Sequence, residues 1–527
     1  MRMATRIAAP ARTARSAWRG PAWALVCGAA IGCTASGSDI ELHRDELAFP
    51  TGVKVSPDGK ALFVVNANSE LRFDSGSLDV IALDRVQRVI SEWTTYLTQP
   101  SNTPDPCNTF AQMTLPPKVP DPGGGNALDC KCDPDNAATL GCEESYFINT
   151  DAGVKLGNFA TDLSIQDFSA GATTHLRVFV PSRGDPSIAW ADFDGTALHC
   201  TAGSNSYQLC DDAHRLTSLN NDPNLEVLPN EPFAVFADVV HPVDAMGKPL
   251  PLDHTVAPQH GFAMVTHLAS GAVTLIDAPA DGPVQIADIL QGVFGDPSTA
   301  ARGATSVAGL PMQIPASPAP GAGPELAPET LYVASDTDNR VQQFSVGMRA
   351  GAADYLLPGR FFVLSAVGET SGSSVDSRGL RFSADGTRLY LVNRTPPSLQ
   401  VYDTSIGPDG TPNNRLLGSS DLCREGSAAA VAGAGTDERV YVTCFDTGQV
   451  YVVNPFGQSQ VEDIITVGRG PYAADVLSLA ASPTLPPPTK FLFVSNFLED
   501  TIAVIDIDPS SPTRNRVVLR IGQPRPQ

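Results

Sequence analysis

The stretch FPTGVKVSPDGKALFVVNANSE, residues 49–70, decides how the rest of the chain is read. Two apolar stretches flank a Ser-Pro-Asp-Gly turn, and the second halts at Asn66. Period-two alternation on both sides of such a turn predicts a β-hairpin. The pattern then returns. A strand ending in a small polar residue appears as LFVVN (62–66), VFVPS (178–182), AMVTH (263–267) and LYVAS (331–335). It appears again as LYLVN (389–393), VYVTC (440–444) and LFVSN (492–496). Each is followed by another strand, which ends at Asp84, Asp192, Asp277, Asp403, Asn454 or Asp506 in six cases and at Ser345 in the other.

Repeats of this kind point to radial repetition. The terminal positions 444 and 496 lie 52 residues apart, and 393 and 444 lie 51 apart, close to the forty-odd residues of a propeller blade. Earlier repeats are longer and carry insertions. Upstream partners such as PTGVKVSPDG and SRGLRFSADG, with fourth strands such as VEDIITVG, complete four strands per unit. One such unit cannot bury both its faces and must stack on its neighbours. The expected fold is all-β: a seven-bladed β-propeller of four-stranded antiparallel blades over 49–527, with a small cysteine-rich insertion. RVQRVISEWTTYLTQ (85–99) spaces its apolar residues at three and four, as an amphipathic helix does. It opens an insertion over 85–146, between the third and fourth strands of the first blade.

GVKVSPDGKALFVVNANS, GLRFSADGTRLYLVNRTPPSLQVYD and KFLFVSNFLEDTIAVID resemble the YVTN-type β-propeller repeat. The resemblance is strong at 49–84 and 377–522 and weaker between. It implies seven blades. It carries no catalytic residue, because the repeat specifies packing.

The N-terminus reads as an address. Arg2, Arg6, Arg12, Arg15 and Arg19 precede an apolar run too short to span a bilayer, and the run closes on Ala30-Ile31-Gly32-Cys33. This resembles the bacterial lipobox, with Cys33 as the lipidated residue. It implies a signal peptide over 1–32, a tether over 33–48, and a lipid anchor in the outer membrane of the cell envelope. Plain secretion with cleavage nearby is the alternative. The formal charge of -22 excludes a nucleic-acid binder, since phosphate binding requires clustered cations.

Export would make the remaining cysteines disulfide partners. Proximity pairs Cys200 with Cys210 and Cys423 with Cys444. Cys107, Cys130, Cys132 and Cys142 sit in a Pro/Gly-rich segment with little apolar material, where two cross-links would stand in for a core. In the same segment Asp129, Asp133 and Asp135 offer oxygen ligands for calcium, although the regular calcium-loop pattern is missing. His241 and His260 flank an insertion with Asp253 and His254. That group reads either as a metal set or as ordinary surface residues.

Propeller geometry sorts the loops. The face where inner strands begin also carries the turns after the repeated polar residue. Asp162, Arg302, Arg378, Glu425 and Tyr472 fall at the first kind of position, with His267, Asp336 and Arg394 at the second. Arg302 and Arg378 should be neighbours at the channel mouth and attract an anionic group. The competing reading is a set of ion pairs closing the ring. No catalytic signature is present: no Gly-x-Ser-x-Gly, no His-Glu-x-x-His, no haem-attachment motif and no phosphate loop. Two classes therefore stand. One is a non-catalytic envelope lipoprotein, without a resident cofactor, that binds a protein, glycan or small anion. The other is a propeller enzyme, a lactonase-like hydrolase or a subunit of a quinone-linked dehydrogenase.

Overall fold

The computed structural model describes residues 40–98, 110, 128–133, 136, 138–201, 207–217, 228–242, 250, 252, 255–294, 303–311, 330–364, 376–479 and 489–524. All of them fall in one compact unit, Gly37–Gln527. Cys33, Cys107, Asp135, Asp253, His254 and Arg302 lie outside the described residues.

Seven sheets follow one another along the chain, each built on antiparallel neighbours, with the blade 1 insertion lying between that blade's third and fourth strands. The protein is a seven-bladed β-propeller. Blade 1 comprises Pro50–Val55, Ala61–Asn66, Gly76–Ala82 and Val154–Leu156. Blade 5 comprises Asp376–Phe382, Arg388–Thr395, Pro397–Asp403 and Arg415–Asp421. In blade 2, the third strand Ser187–Phe193 is paired by two short pieces, Leu198–His199 and Arg215–Thr217.

Alternation explains the stacking. In the second strand of blade 1, Leu62 and Val64 face blade 7, whereas Phe63 and Val65 face blade 2. A separate apolar core of this kind fills every junction between neighbouring blades. The second strands are consequently buried through their centres, and Ala61–Asn66 is buried at every residue. Polar groups enter at strand ends and at a few mid-strand positions such as Asp79 and Gln400. Ser56 Oγ donates to Asp58 Oδ1 at 2.6 Å, and Ser383 Oγ donates to Asp385 Oδ1 at 2.7 Å, so SPDG and SADG form the same turn. Gly59 (φ 70°) and Gly386 (φ 68°) take the left-handed position such a turn requires.

Closure of the ring was not legible in the repeats. Blade 7 (Pro471–Ser478, Lys490–Asn496, Thr501–Asp506, Arg516–Ile521) contains C-terminal strands only, so no strand is exchanged with blade 1. Instead the blade 1 insertion reaches across. Its helix, Leu83–Thr98, buries Val86, Val89, Ile90 and Trp93 in the core shared by blades 1 and 7. Its segment Leu140–Cys142 pairs in parallel with Arg516–Ile521, and Cys130–Cys132 pairs with Leu140–Cys142. Asp133 holds Arg520 at 3.1 Å, and Phe49 N donates to Asp500 Oδ1 at 2.7 Å.

Among the described residues, disulfides join Cys130 to Cys142, Cys200 to Cys210 and Cys423 to Cys444, with Cα separations of 4.0, 4.9 and 5.9 Å. Cys132 is disulfide-bonded as well. The stretch expected as a tether packs on the blades from residue 40 onward: Leu42, Leu47 and Ala48 are buried, and Asp74 N donates to Ile40 O. Among the described residues, no helix is long and apolar enough to cross a membrane.

One irregularity recurs at the channel. In six blades the inner strand shifts register within its first residues. Blade 2 does the same, since Ala160 pairs with Ser182 but Ser164 pairs with Phe179. A bulge frees residues from the ladder and re-aims their side chains. In blades 1, 4 and 5 the freed residue is Thr51, Thr305 or Arg378. In blades 3, 6 and 7 two residues are freed: Phe233-Ala234, Ser427-Ala428 and Tyr472-Ala473. Here a hydroxyl on the second strand takes the stranded N–H. Ala234 N donates to Thr266 Oγ1 (3.1 Å), Ala428 N to Thr443 Oγ1 (2.9 Å) and Ala473 N to Ser495 Oγ (3.0 Å).

Candidate functional site: the channel mouth

The bulged residues of all seven blades converge on one cavity of about 280 Å³ at the face where the inner strands begin. Among the residues expected there, Asp162, Arg378, Arg394 and Tyr472 line it. Arg183, Phe233, Lys54 and Arg381, not expected there from the sequence, line it as well. Among the described residues the cavity wall thus carries four arginines and a lysine against one carboxylate, in a chain whose formal charge is -22.

The arginines are held differently. Arg394 is fully committed: Nε donates to Gly426 O (2.9 Å), Nη2 to Ser427 Oγ (3.1 Å), and Nη1 lies 2.8 Å from Glu425. Burial and the neighbouring Arg378 lower its pKa, against the pull of Glu425. Arg378 is less occupied. Its Nε lies 2.9 Å from Asp376 Oδ1 without the angle of a hydrogen bond, and its terminal amino groups have no protein partner among the described residues. Arg183 reaches Glu231 at 3.4 Å, and its buried Nε makes no hydrogen bond. Both guanidiniums rest on one ring, Arg183 at 5.8 Å and Arg378 at 5.9 Å from the Phe233 centroid. Cation–π attraction holds each there, while like charge keeps them apart.

Tyr472 enters from blade 7. Burial raises its pKa, opposed chiefly by Arg378, so the hydroxyl remains a neutral donor at physiological pH. Asp162 is turned toward the wall, its two oxygens accepting from Leu163 N (2.9 Å) and Val235 N (3.1 Å). Burial raises the Asp162 pKa, and Arg381 is the strongest influence against that rise.

Other expected residues sit elsewhere. His267 is fully buried at the end of its strand, with Nε2 2.8 Å from Thr274 Oγ1, and burial lowers its pKa to about 4. It does not line the cavity, because the repeated polar position it occupies ties the blade together. Asn66 and Asn393 do the same in blades 1 and 5, bonded to Ser77 and Ser377. Glu425 stands at the rim as the counter-charge of Arg394. Asp133 is engaged by Arg520, and among the described residues no three His, Cys, Asp or Glu side chains gather in a metal-binding arrangement. His241 Nδ1 lies 3.4 Å from Leu250 O, and the ring of His260 packs beneath Gly351.

No family model and no curated protein matches the chain. Solved structures match it over most of its length. A periplasmic gluconolactonase of Pseudomonas aeruginosa is 15% identical, over 80% of this chain and 86% of that one, with a TM-score of 0.42. A protein from Lactobacillus plantarum is 16% identical, over 75% and 92%, with a TM-score of 0.44. The β-propeller domain of Cps50 (Swd1) from Myceliophteria thermophila is 10% identical, over 87% and 97%, with a TM-score of 0.41. Likeness at this level carries no functional argument.

Proposed function

We propose that this protein is a binding platform whose channel mouth receives a small anionic group. The observation that carries the reading is the pair Arg183 and Arg378, set on one aromatic ring, each beside one carboxylate (Glu231 at 3.4 Å, Asp376 at 2.9 Å) and each with further N–H groups that no described protein atom accepts. Unsatisfied guanidinium donors in a partly desolvated cavity are matched by a carboxylate or phosphate oxygen pair. The Tyr472 hydroxyl supplies a further donor. A cavity of about 280 Å³ suits a small molecule better than a polymer. Titration calorimetry with acetate, phosphate and sulfate tests this: binding by the full chain that Arg378→Gln weakens supports it. Binding unchanged by that substitution, or none at all, removes it.

A second reading has one observation in its favour. Asp162 is a carboxyl with a raised pKa in the same cleft, as acid–base catalysts are. A lactone hydrolase would use it as general acid or base, and turnover of a sugar lactone lost in Asp162→Asn would establish that reading. Both its oxygens already hold backbone N–H groups, which favours the binding platform.

The address belongs to the same proposal: a YVTN-type lipoprotein of the cell envelope, with a signal peptide over 1–32 and the lipid on Cys33. Labelling with a palmitate analogue should tag the wild type and not Cys33→Ser. Equal labelling of both would overturn the anchor.

A further inference from the structure

We infer that the anion this cavity takes has two charged ends, a short dicarboxylate standing upright in the channel. The inference rests on the reading of the mouth as an anion site and adds a second tier to it. Below the bulges the inner strands regain regular register, so equivalent residues share a level. Lys54, Arg381 and Asp475 pair with Phe63, Tyr390 and Phe493, the second-strand aromatics of blades 1, 5 and 7. These three residues therefore stand at one depth. Lys54 and Arg381 line the same cavity as Arg378.

The two cations of this lower tier are not equivalent. Lys54 Nζ is 3.4 Å from Asp475 and is neutralised by it. Arg381 donates only to Leu380 O, at 3.3 Å, and pairs with no carboxylate within ion-pair distance among the described residues. Asp162 feels Arg381 but lies beyond ion-pair distance and is turned to the backbone, and a half-buried guanidinium so weakly compensated is costly to desolvate unless something supplies the charge. Arg378 and Arg381 are three residues apart on one strand, a rise of roughly 10 Å. Between the tiers the wall is small or uncharged, with Gly379, Ser306 and Ala474 leaving width for a methylene body. Among the described residues Asp162 is the one carboxylate in the lining, and its oxygens are turned to the backbone N–H groups of Leu163 and Val235. A monoanion satisfies the upper tier and leaves Arg381 bare. A dicarboxylate of matching length satisfies both.

Calorimetry on the full chain decides it, with glutarate, adipate and pimelate set against butyrate, hexanoate and heptanoate. The best-fitting dicarboxylate should bind at least about tenfold more tightly than its monocarboxylate, the effect of one added charge-assisted hydrogen bond. Arg381→Gln should erase that preference while lowering monocarboxylate affinity far less, with melting curves confirming the fold. Ser306→Leu narrows the shaft without touching either arginine and should penalise the dicarboxylates alone. Equal affinity for the two series, or an equal loss for both in Arg381→Gln and Ser306→Leu, overturns the two-ended ligand while the anion site stands. If neither series binds, both conclusions fall together.

Discussion

Blades 1, 4 and 5 begin their inner strands in one way and blades 3, 6 and 7 in another. The first set frees a single residue, Thr51, Thr305 or Arg378, and the second frees two. One second-strand residue accounts for the difference. Where it is Thr or Ser, as in Thr266, Thr443 and Ser495, its hydroxyl accepts a second stranded N–H and the wider bulge is affordable. Where it is Val65, Ala334 or Val392, no acceptor exists and the bulge stays narrow. An unsatisfied buried N–H is too costly to leave in place. The narrow set then divides again. Thr51 and Thr305 latch their blade to the next by donating to Ala160 O (2.8 Å) and Ser377 O (2.6 Å). Arg378 makes no such latch, and its guanidinium goes to the cavity. Repetition thus supplies the scaffold, and departures at the bulge supply the chemistry.

The largest departure concerns stability within the narrow set. Blade 1 carries Asp79 where blade 5 carries Gln400, three residues into the third strand. Asp79 accepts from Asn66 Nδ2 (2.5 Å) and Ser77 Oγ (3.1 Å), and burial raises its pKa to about 8. The folded state therefore holds a proton that the unfolded chain releases near the ordinary carboxylate value of 3.8. Its contribution to stability is complete below about pH 4 and is lost as pH rises toward 8, by up to about 1.4 kcal/mol per pH unit. Asp79→Asn should remove this slope, so that urea denaturation shows the variant gaining on wild type as pH rises. A parallel pair of stability curves would refute the neutral acid.

Thr443→Val breaks the wide bulge directly. Leaving Ala428 N without an acceptor should cost about 1–3 kcal/mol in chemical denaturation. The same exchange in reverse, Val392→Thr, should bring no gain, because blade 5 has no second stranded N–H. Arg378→Thr converts blade 5 to the pattern of blades 1 and 4. It should weaken anion binding at least about tenfold while shifting stability by less than about 1 kcal/mol. Thr51→Val removes one latch and should cost about 0.5–1.5 kcal/mol without altering anion affinity. A binding defect in Thr51→Val would mean that the latches shape the mouth.

The fold was legible because the repeat's period, its turns and its terminal polar residues are all local signals. The cavity was legible only in part. Arg394 was found because it follows Asn393, and Arg183 follows Ser182 in the same way, so the signal that located one could have located both. Phe233 could have been found from Thr266, as Tyr472 from Ser495, once the hydroxyl is read as the mark of a wide bulge. Arg381 and Lys54 could not. A bulge reverses the in–out parity of everything after it, and its width must be known before a strand residue can be assigned to the channel. His267 misled for the opposite reason: its position is defined by the repeat, and the repeat serves packing.

The parallel pairing of Leu140–Cys142 with Arg516–Ile521 sets an order in time. A chain made from its N-terminus has the insertion long before the strand it docks against, and Thr139 waits 378 residues for the carbonyl of Val517. During that interval Leu140 and Cys142, which end fully buried, have no final cover. The link between Cys130 and Cys142 spans only 12 residues and can close without the rest of the protein. It keeps the waiting edge in shape, so that the last strand completes a hairpin already formed instead of ordering one.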